Sequence, residues 1–392
     1  MNILYFSIEI LYFSVFISGK RHFLILNSYF CIHIHVTMKA TLCLILFLNL
    51  SVWSLLGQVH FTRLNNEDGL SHSEVKAILQ DSYGYIWIST RNKLNRYDGC
   101  EFKVLDCYDP IANKRNNNTA ALCEDMNRLL WVGTDEGVFI YDPVVETFTY
   151  LERWLNLQDA GFLYNWVSNI VADKEGNMWI VLPSCGILKV NVQTKAYKLY
   201  SNFGHTVFEK GGPLSLTVDG QGAVWVGCID QGICRYDKTK DDFVQVLEET
   251  GVFRGKGVYA MLSCKESLFV ALHEGRLLRY NKETGTLALH DFPEVDNVMI
   301  RCLMMPKDEE LWVGTNNGVY IYNLLTENCT VFRNDSFDSH SLSCNTVTDM
   351  YIDKEKGIWV GTLYGGLNYQ SRSAGNFTVY IPNDHPQSVQ SQ

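Results

Sequence analysis

The residues in this 392-residue chain best suited to chemistry are the aromatic, cationic and amide side chains of its connecting segments. Tyr164 and Trp166 offer flat faces on which the ring of a ligand can stack. Arg254, Arg301, Arg91, Lys210 and His72 offer donors to hydroxyl or carboxyl oxygens, and Asn117, Asn297 and Asn345 add amides beside them. Such a set suits non-covalent recognition of a polar ligand. Covalent catalysis has no comparable set. There is no G-x-S-x-G elbow, phosphate-binding loop, H-E-x-x-H helix or dinucleotide fingerprint. The histidines after residue 60 (His72, His205, His273, His290, His340 and His385) are scattered. No catalytic residue, metal or cofactor is therefore expected. Cys31, His33 and His35 are of metal-binding type, but no further ligand accompanies them.

A rigid scaffold must hold these segments, and the sequence repeats to supply one. Leu130-Trp131-Val132-Gly133-Thr134 returns as Leu311-Trp312-Val313-Gly314-Thr315 and as Ile358-Trp359-Val360-Gly361-Thr362. Ile86-Trp87-Ile88-Ser89-Thr90 and Val224-Trp225-Val226-Gly227 follow the same plan, while Met178-Trp179-Ile180 and Leu268-Phe269-Val270 are worn copies. The seven anchors Trp87, Trp131, Trp179, Trp225, Phe269, Trp312 and Trp359 stand 43–48 residues apart. A period of that length marks an array of supersecondary units. In the first unit, Val75 to Gln80, Tyr85 to Thr90, Leu94 to Tyr97 and Phe102 to Leu105 read as four short strands separated by turn residues. Four strands per unit and seven units predict an all-β, seven-bladed β-propeller of four-stranded blades.

Each fixed position has a physical reason. An Asp six residues before the anchor (Asp81, Asp125, Asp173, Asp219, Asp353) can bond its own backbone and close a turn. Gly133, Gly227, Gly314 and Gly361 stand where a side chain would crowd the next blade. Gly137, Gly186, Gly232, Gly275, Gly318 and Gly365 mark the following hairpin. Tyr97, Tyr141, Tyr236, Tyr280, Tyr322 and Tyr369 should fill the wedges between blades. The ring can close through residues 59–64 or residues 377–381, and the N-terminal segment is the expected closer. The other segment is then surplus, and the similarity of the C-terminal text to the lead-in of unit seven suggests the start of a further repeat. The propeller is expected over 58–381, with a tail at 382–392.

Residues 1–57 differ from the rest. Met38-Lys39, an apolar run from Ala40 to Leu56, and Gly57 read as a secretory signal peptide cleaved before Gln58. Residues 1–37 then precede the true start, unless the leader forms membrane helices. Net charge is −10, and the leader holds three basic residues against Glu9, so the remainder carries −12. That disfavours nucleic acid and anionic membranes as partners. The ten cysteines after residue 57 show no scaffold spacing and are expected as buried thiols, with Cys228 and Cys234 as the one candidate pair.

Two stretches now carry a resemblance. Leu70-Ser71-His72-Ser73-Glu74-Val75, followed by Gly84-Tyr85-Ile86-Trp87-Ile88-Ser89-Thr90 and Arg96-Tyr97-Asp98-Gly99, resembles the two-component regulator propeller repeat. So does Ser341-Leu342-Ser343 with Val347, Asp353 and Ile358-Trp359-Val360-Gly361-Thr362. The resemblance implies the periplasmic sensor region of a hybrid histidine kinase of Bacteroidetes, responding to oligosaccharides from complex glycans. It also implies a second propeller or a homodimer partner. The kinase, receiver and DNA-binding parts of that family have no counterpart in this sequence, so the chain is expected to be a front fragment. The alternative is a stand-alone interaction scaffold. A lesser alternative is a glycan hydrolase or lyase, because Asp219 to Trp225 resembles the Asp-box of sialidase propellers. The Asp there stands five residues before the Trp, whereas here it is six, and no pattern fixes an arginine cluster.

Overall fold

A computed structural model describes residues 60–158, 160–203, 207–209, 211–246, 251–272, 275–290 and 298–371. The leader, Cys31, His33 and His35, Lys210, His273, Asn297, residues 377–381 and the tail lie outside the described residues. The propeller is as expected: seven antiparallel sheets of four strands each. The innermost strands are Val75–Gln80, Thr119–Glu124, Asn169–Ala172, Pro213–Val218, Val258–Cys264, Ile300–Lys307 and Val347–Ile352. Each touches the next in cyclic order, and that of blade 7 touches that of blade 1, which closes the ring. The second strands carry the anchors. Ile86–Thr90, Leu130–Thr134, Val224–Cys228 and Ile358–Thr362 are buried throughout, because blades cover them on both faces. This is why they read as continuous apolar runs.

The anchors are tied down by their aspartates more fully than turn chemistry alone suggests. Asp81 Oδ1 accepts the backbone N–H groups of Tyr83 and Tyr85 at 3.0 and 2.9 Å, and its Oδ2 accepts the Trp87 indole N–H at 2.7 Å. Trp131, Trp179, Trp225 and Trp359 donate likewise to Asp125, Asp173, Asp219 and Asp353 at 2.8–3.0 Å. One carboxylate thus closes a turn and fixes the ring that fills the next wedge, through charge-assisted bonds. Blade 6 has Pro306 at that place and uses Glu310 instead, which accepts the Trp312 indole N–H at 2.8 Å. Blade 5 has Phe269, which needs no acceptor. There Ser263 accepts from Lys282, which reaches Asp219 of blade 4 at 3.5 Å.

The wedges are filled as the tyrosine spacing predicts. The Trp87 ring meets Tyr141 of the next blade at 5.4 Å, Trp179 meets Tyr236 at 4.8 Å, and Trp359 meets Tyr97 of blade 1 at 6.0 Å. Blade 3 has no such tyrosine. Trp154, on the one-turn helix Leu151–Trp154, covers Trp131 at 5.5 Å in its place. The glycines after the anchors also behave as expected. A Cβ on Gly133 would stand 2.6 Å from Val167 of the next blade, and one on Gly361 would stand 2.5 Å from Val75. One hairpin glycine differs from expectation. In blade 7 the positive φ falls on Gly366, not Gly365, because the turn is one residue longer there.

Closure uses the N-terminal segment. Thr62–Leu64 pairs antiparallel with Leu367–Gln370 as the outer strand of blade 7. Phe61 is buried beside Trp312 and Leu342, and Arg63 donates to Ser341 O at 3.0 Å and to Ser341 Oγ at 2.8 Å. The cysteines depart from expectation. Of the ten, only Cys107, Cys228 and Cys234 are buried, and Cys100 is exposed. Cys228 and Cys234 are free thiols with sulfurs 3.9 Å apart. Their register explains this: Cys228 faces Gly232, so the two cysteines sit diagonally across the ladder.

The seam between blades 7 and 1 holds an unusual carboxyl. Asp349 follows the unpaired residue of its innermost strand, and the corresponding residues elsewhere are Ala77, Ala121, Asn169, Ser215, Ala260 and Cys302. Its Oδ2 accepts the backbone N–H of Ile78 in blade 1 at 2.8 Å. Burial pushes this carboxyl up to about 7, against the smaller opposing effect of the N–H groups of Ile78 and Met350. The fold therefore favours the protonated form. The stability it brings is complete below about pH 4 and is lost as pH rises through about 7. Asp349→Asn should melt with the wild type near pH 4 and about 2–5 °C above it at pH 8, by scanning calorimetry. A gain independent of pH would contradict this.

Candidate functional site at the channel mouth

The lead-in loops and the turns between second and third strands share one face, as alternation of strand direction requires. They interlock there: Gly137 N–H donates to Asn165 O at 3.0 Å, Gly318 N–H to Asn345 O at 2.7 Å and Arg91 N–H to Glu74 O at 3.2 Å. On that face the innermost strands carry a feature that sequence periodicity hides. In six blades the ladder to the second strand skips one residue: Val75 pairs with Thr90 and Ala77 with Ser89, so Lys76 is left out. The same shift leaves out Ala120, Leu214, Tyr259, Arg301 and Thr348. Ser168 holds the place in blade 3, just ahead of a ladder that begins at Asn169. Bulges of this kind re-aim a side chain out of the sheet. Here they place one residue per blade around the mouth of the central channel.

Neighbouring members of this ring meet. A Cβ on Gly257 would lie 2.7 Å from Leu214 Cδ1 and 3.1 Å from Tyr259 Cε2. Ser168 Oγ donates to Leu214 O at 3.0 Å. The ring is lopsided. Ala120, Ser168 and Leu214 make a small, largely apolar arc, while Tyr259, Arg301, Thr348 and Lys76 make a polar arc over blades 5, 6, 7 and 1. Tyr259 is 44% exposed. Thr348 Oγ1 is buried with no hydrogen-bond partner among the described residues. Lys76 donates to Asn118 Oδ1 at 2.5 Å, and burial lowers its pKa, with Arg91 acting in the same sense and Glu74 and Asp135 opposing. Asn118 in turn donates to Asp135 at 2.8 Å.

The residues singled out from sequence divide between this mouth and its surroundings. Arg301 is a member of the ring. Trp166 is 49% exposed and hangs beside the turn that holds Asp135, fixed by Asn165 and Val167, which bond that turn on either side. Arg91 is exposed at the rim and pairs with Glu74 at 3.6 Å. His72 uses its Nδ1 to accept the Glu74 N–H at 2.9 Å, so that nitrogen serves the loop. Tyr164 serves its own loop too. Its hydroxyl donates to Glu152 at 2.5 Å, its ring stacks on Tyr150 at 6.0 Å, and Lys114 lies 4.2 Å from its ring centre. Arg254 is exposed on the loop between blades 4 and 5, outside the ring of unpaired residues. The long connection before blade 2 folds into a small hairpin, Tyr108–Asp109 with Lys114–Arg115. Buried Asp109 anchors it. That carboxylate accepts from Arg153 at 2.6 Å and from Tyr150 N–H at 2.8 Å. Burial opposes its ionisation, but these donors outweigh burial and hold its pKa low.

Sequence reasoning missed Lys76, Tyr259 and Thr348. Their signal was a triplet of an apolar or β-branched residue, a variable one, and a mostly small one: Val75-Lys76-Ala77, Val258-Tyr259-Ala260, Ile300-Arg301-Cys302. The middle residue of each triplet is the one left out of the ladder. Among the described residues, no group of three or more His, Cys, Asp or Glu side chains could hold a metal ion.

The two-component regulator propeller family matches at residues 69–92 and 341–364, the lead-in and first two strands of blades 1 and 7. The chain is 26% identical over 166 residues to Histidine kinase P4 of Formosa agariphila, covering 41% of this chain and 12% of that protein. Its fold matches the extracellular domain of the hybrid two-component system BT4673 of B. thetaiotaomicron, with a TM-score of 0.67, 22% identity, and coverage of 80% of this chain and 39% of that one. The corresponding domain of BT3049 matches with a TM-score of 0.66, 20% identity, and coverage of 80% and 42%. The chain thus spans about two fifths of those solved chains and a far smaller part of the kinase. Two of its seven repeats, one on each side of the closing seam, are thus similar to the two-component regulator propeller repeat, and the whole ring shares the fold of those extracellular domains.

Proposed function

We propose that this ring is a ligand-sensing propeller of a hybrid two-component system, working on the outer side of the inner membrane, and that it binds a glycan-derived oligosaccharide at the channel mouth. The observation that carries this is the ring of bulged residues, which puts Tyr259, Arg301, Thr348 and Lys76 at equivalent positions on the innermost strands of four successive blades, with exposed Trp166 on the lead-in of blade 3. Concave sites with a few convergent polar groups are where ligands bind. An aromatic face beside cationic and hydroxyl donors suits a sugar. The kinase and two-component relatives support the signalling role, and the extracellular placement of the solved domains supports export. A bound ligand would act by shifting how the ring packs on a second propeller or a second copy. The same face offers apolar tips for such packing, among them Phe337 at 98% exposure and Phe203 at 72%.

The test is scanning fluorimetry of the purified protein against plant and host oligosaccharides, with chromatography of the sugars afterwards. A ligand at a hundred times its dissociation constant adds about 2.7 kcal/mol of stability, a rise of several degrees. A rise for one glycan class, with the sugar recovered intact, is the expected result. Cleavage of the sugar would replace the sensing role with an enzymatic one. No rise across the panel would overturn the proposal.

A further inference from the structure

We infer that the ligand carries a carboxylate or sulfate group, bound at the mouth between Arg301 and Lys76 across blade 7. This rests on the sensing role proposed above and specifies its ligand. The chain has 43 acidic residues against 33 basic ones. In such an excess of acid, cations readily find carboxylate partners, and many here do. Arg91 pairs with Glu74, Lys93 and Arg115 with Asp106, Lys198 with Asp241, and Lys265 with Asp308. Arg301 and Lys76 do not. Arg301 is exposed at the mouth and has neither an ion pair nor a hydrogen bond among the described residues. Lys76 is partly buried and is held by a neutral amide, Asn118.

The carboxylates near Lys76 are engaged elsewhere: Glu74 with Arg91, and Asp135 with the Asn118 amide. Desolvating an ammonium without a carboxylate partner costs stability, as the lowered Lys76 pKa records. An incoming anion would offset that cost. Between the two cations in ring order stands Thr348, whose buried hydroxyl lacks a partner among the described residues and would donate to an anionic oxygen on a turn of its side chain. A planar guanidinium, a hydroxyl and an ammonium at the equivalent bulged position of three successive blades supply the donors that an acidic group needs; to reach it, Lys76 would exchange its bond to Asn118 for the anion. The sugar ring bearing that group would extend towards Tyr259, the next ring member beyond Arg301.

The test is calorimetric titration of the full chain and of Arg301→Gln with two sets of oligosaccharides. The acidic set contains galacturonate and mannuronate oligomers, which carry carboxylate alone, and sulfated galactan oligomers, which carry sulfate alone. The neutral set contains xylan, mannan, glucan and galactan oligomers. Saturable binding within the acidic set only is expected, and the subset that binds identifies the anion. Affinity should weaken at least about 10-fold in Arg301→Gln and should fall as salt is raised. Arg301 is exposed, so this variant should keep the wild-type melting temperature. Lys76→Gln should weaken binding in the same direction. A neutral oligosaccharide bound equally by wild type and Arg301→Gln would overturn the inference and leave the sensing role standing. No binding by either set would overturn both.

Discussion

Deleting residues 60–65 should lower the melting temperature of the ring by more than about 10 °C. The segment supplies the outer strand of blade 7, and no other described strand can take its place. Its loss removes the Thr62–Leu64 ladder, the buried Phe61 ring, and four hydrogen bonds from Arg63 to the lead-in of blade 7. Truncating a buried Phe alone costs about 3–5 kcal/mol, and each net hydrogen bond adds about 1 kcal/mol. The deletion also bares the edge of Leu367–Gln370, so the protein should aggregate as well as melt early. Phe61→Ala should give roughly half the effect without opening the edge. An unchanged midpoint after deletion would mean that the ring is closed by another strand.

Gly227→Val should destabilise the ring by about 3 kcal/mol or more, measured by denaturant unfolding. The Cβ alone would stand 2.4 Å from Val258 Cγ1 of blade 5 and 2.5 Å from Ser215 Oγ of its own blade. Neither neighbour can yield easily. Both sit on innermost strands, and Ser215 Oγ already donates to Val258 O at 2.9 Å across the seam. The cost would come from prising two blades apart rather than from backbone strain. A contrasting substitution isolates that cause. Gly220 lies in a turn where an added Cβ meets nothing within 4 Å, so Gly220→Ala should change stability by less than about 0.5 kcal/mol. Equal losses at the two positions would contradict the close-approach account of Gly227.

The architecture was legible because its determinants are local and recur in most of the seven blades. A Trp at a fixed period, an Asp six residues before it and a Tyr ten or eleven after it each occupy an equivalent place, so sequence register maps onto spatial register. The Trp–Asp bond itself escaped notice, because turn chemistry already gave the Asp a sufficient reason. The substitute Trp154 was invisible for another cause: it reaches blade 2's anchor from an insertion outside the repeat. The site was only half legible. The sequence pattern puts Arg301 on a loop, whereas it stands on a strand, in a bulge. Lys76 and Tyr259 were passed over because strand alternation assigns every strand residue to one of two faces, and a bulged residue belongs to neither. Tyr164 looked available as a loop aromatic, but its hydroxyl and one face are used by Glu152 and Tyr150. Only three-dimensional contacts separate an available aromatic from an engaged one.

The location of the ligand is the central claim, and amide hydrogen exchange with and without a bound oligosaccharide tests it most directly. The account predicts slowed exchange in the innermost strands Val75–Gln80, Val258–Cys264, Ile300–Lys307 and Val347–Ile352 and in the lead-in loops beside them. The outer strands, such as Phe102–Leu105 and Asp242–Gln245, should be unaffected. Protection confined to the outer strands, or to the turns on the opposite face around Asp81 and Asp219, would contradict a site at the channel mouth.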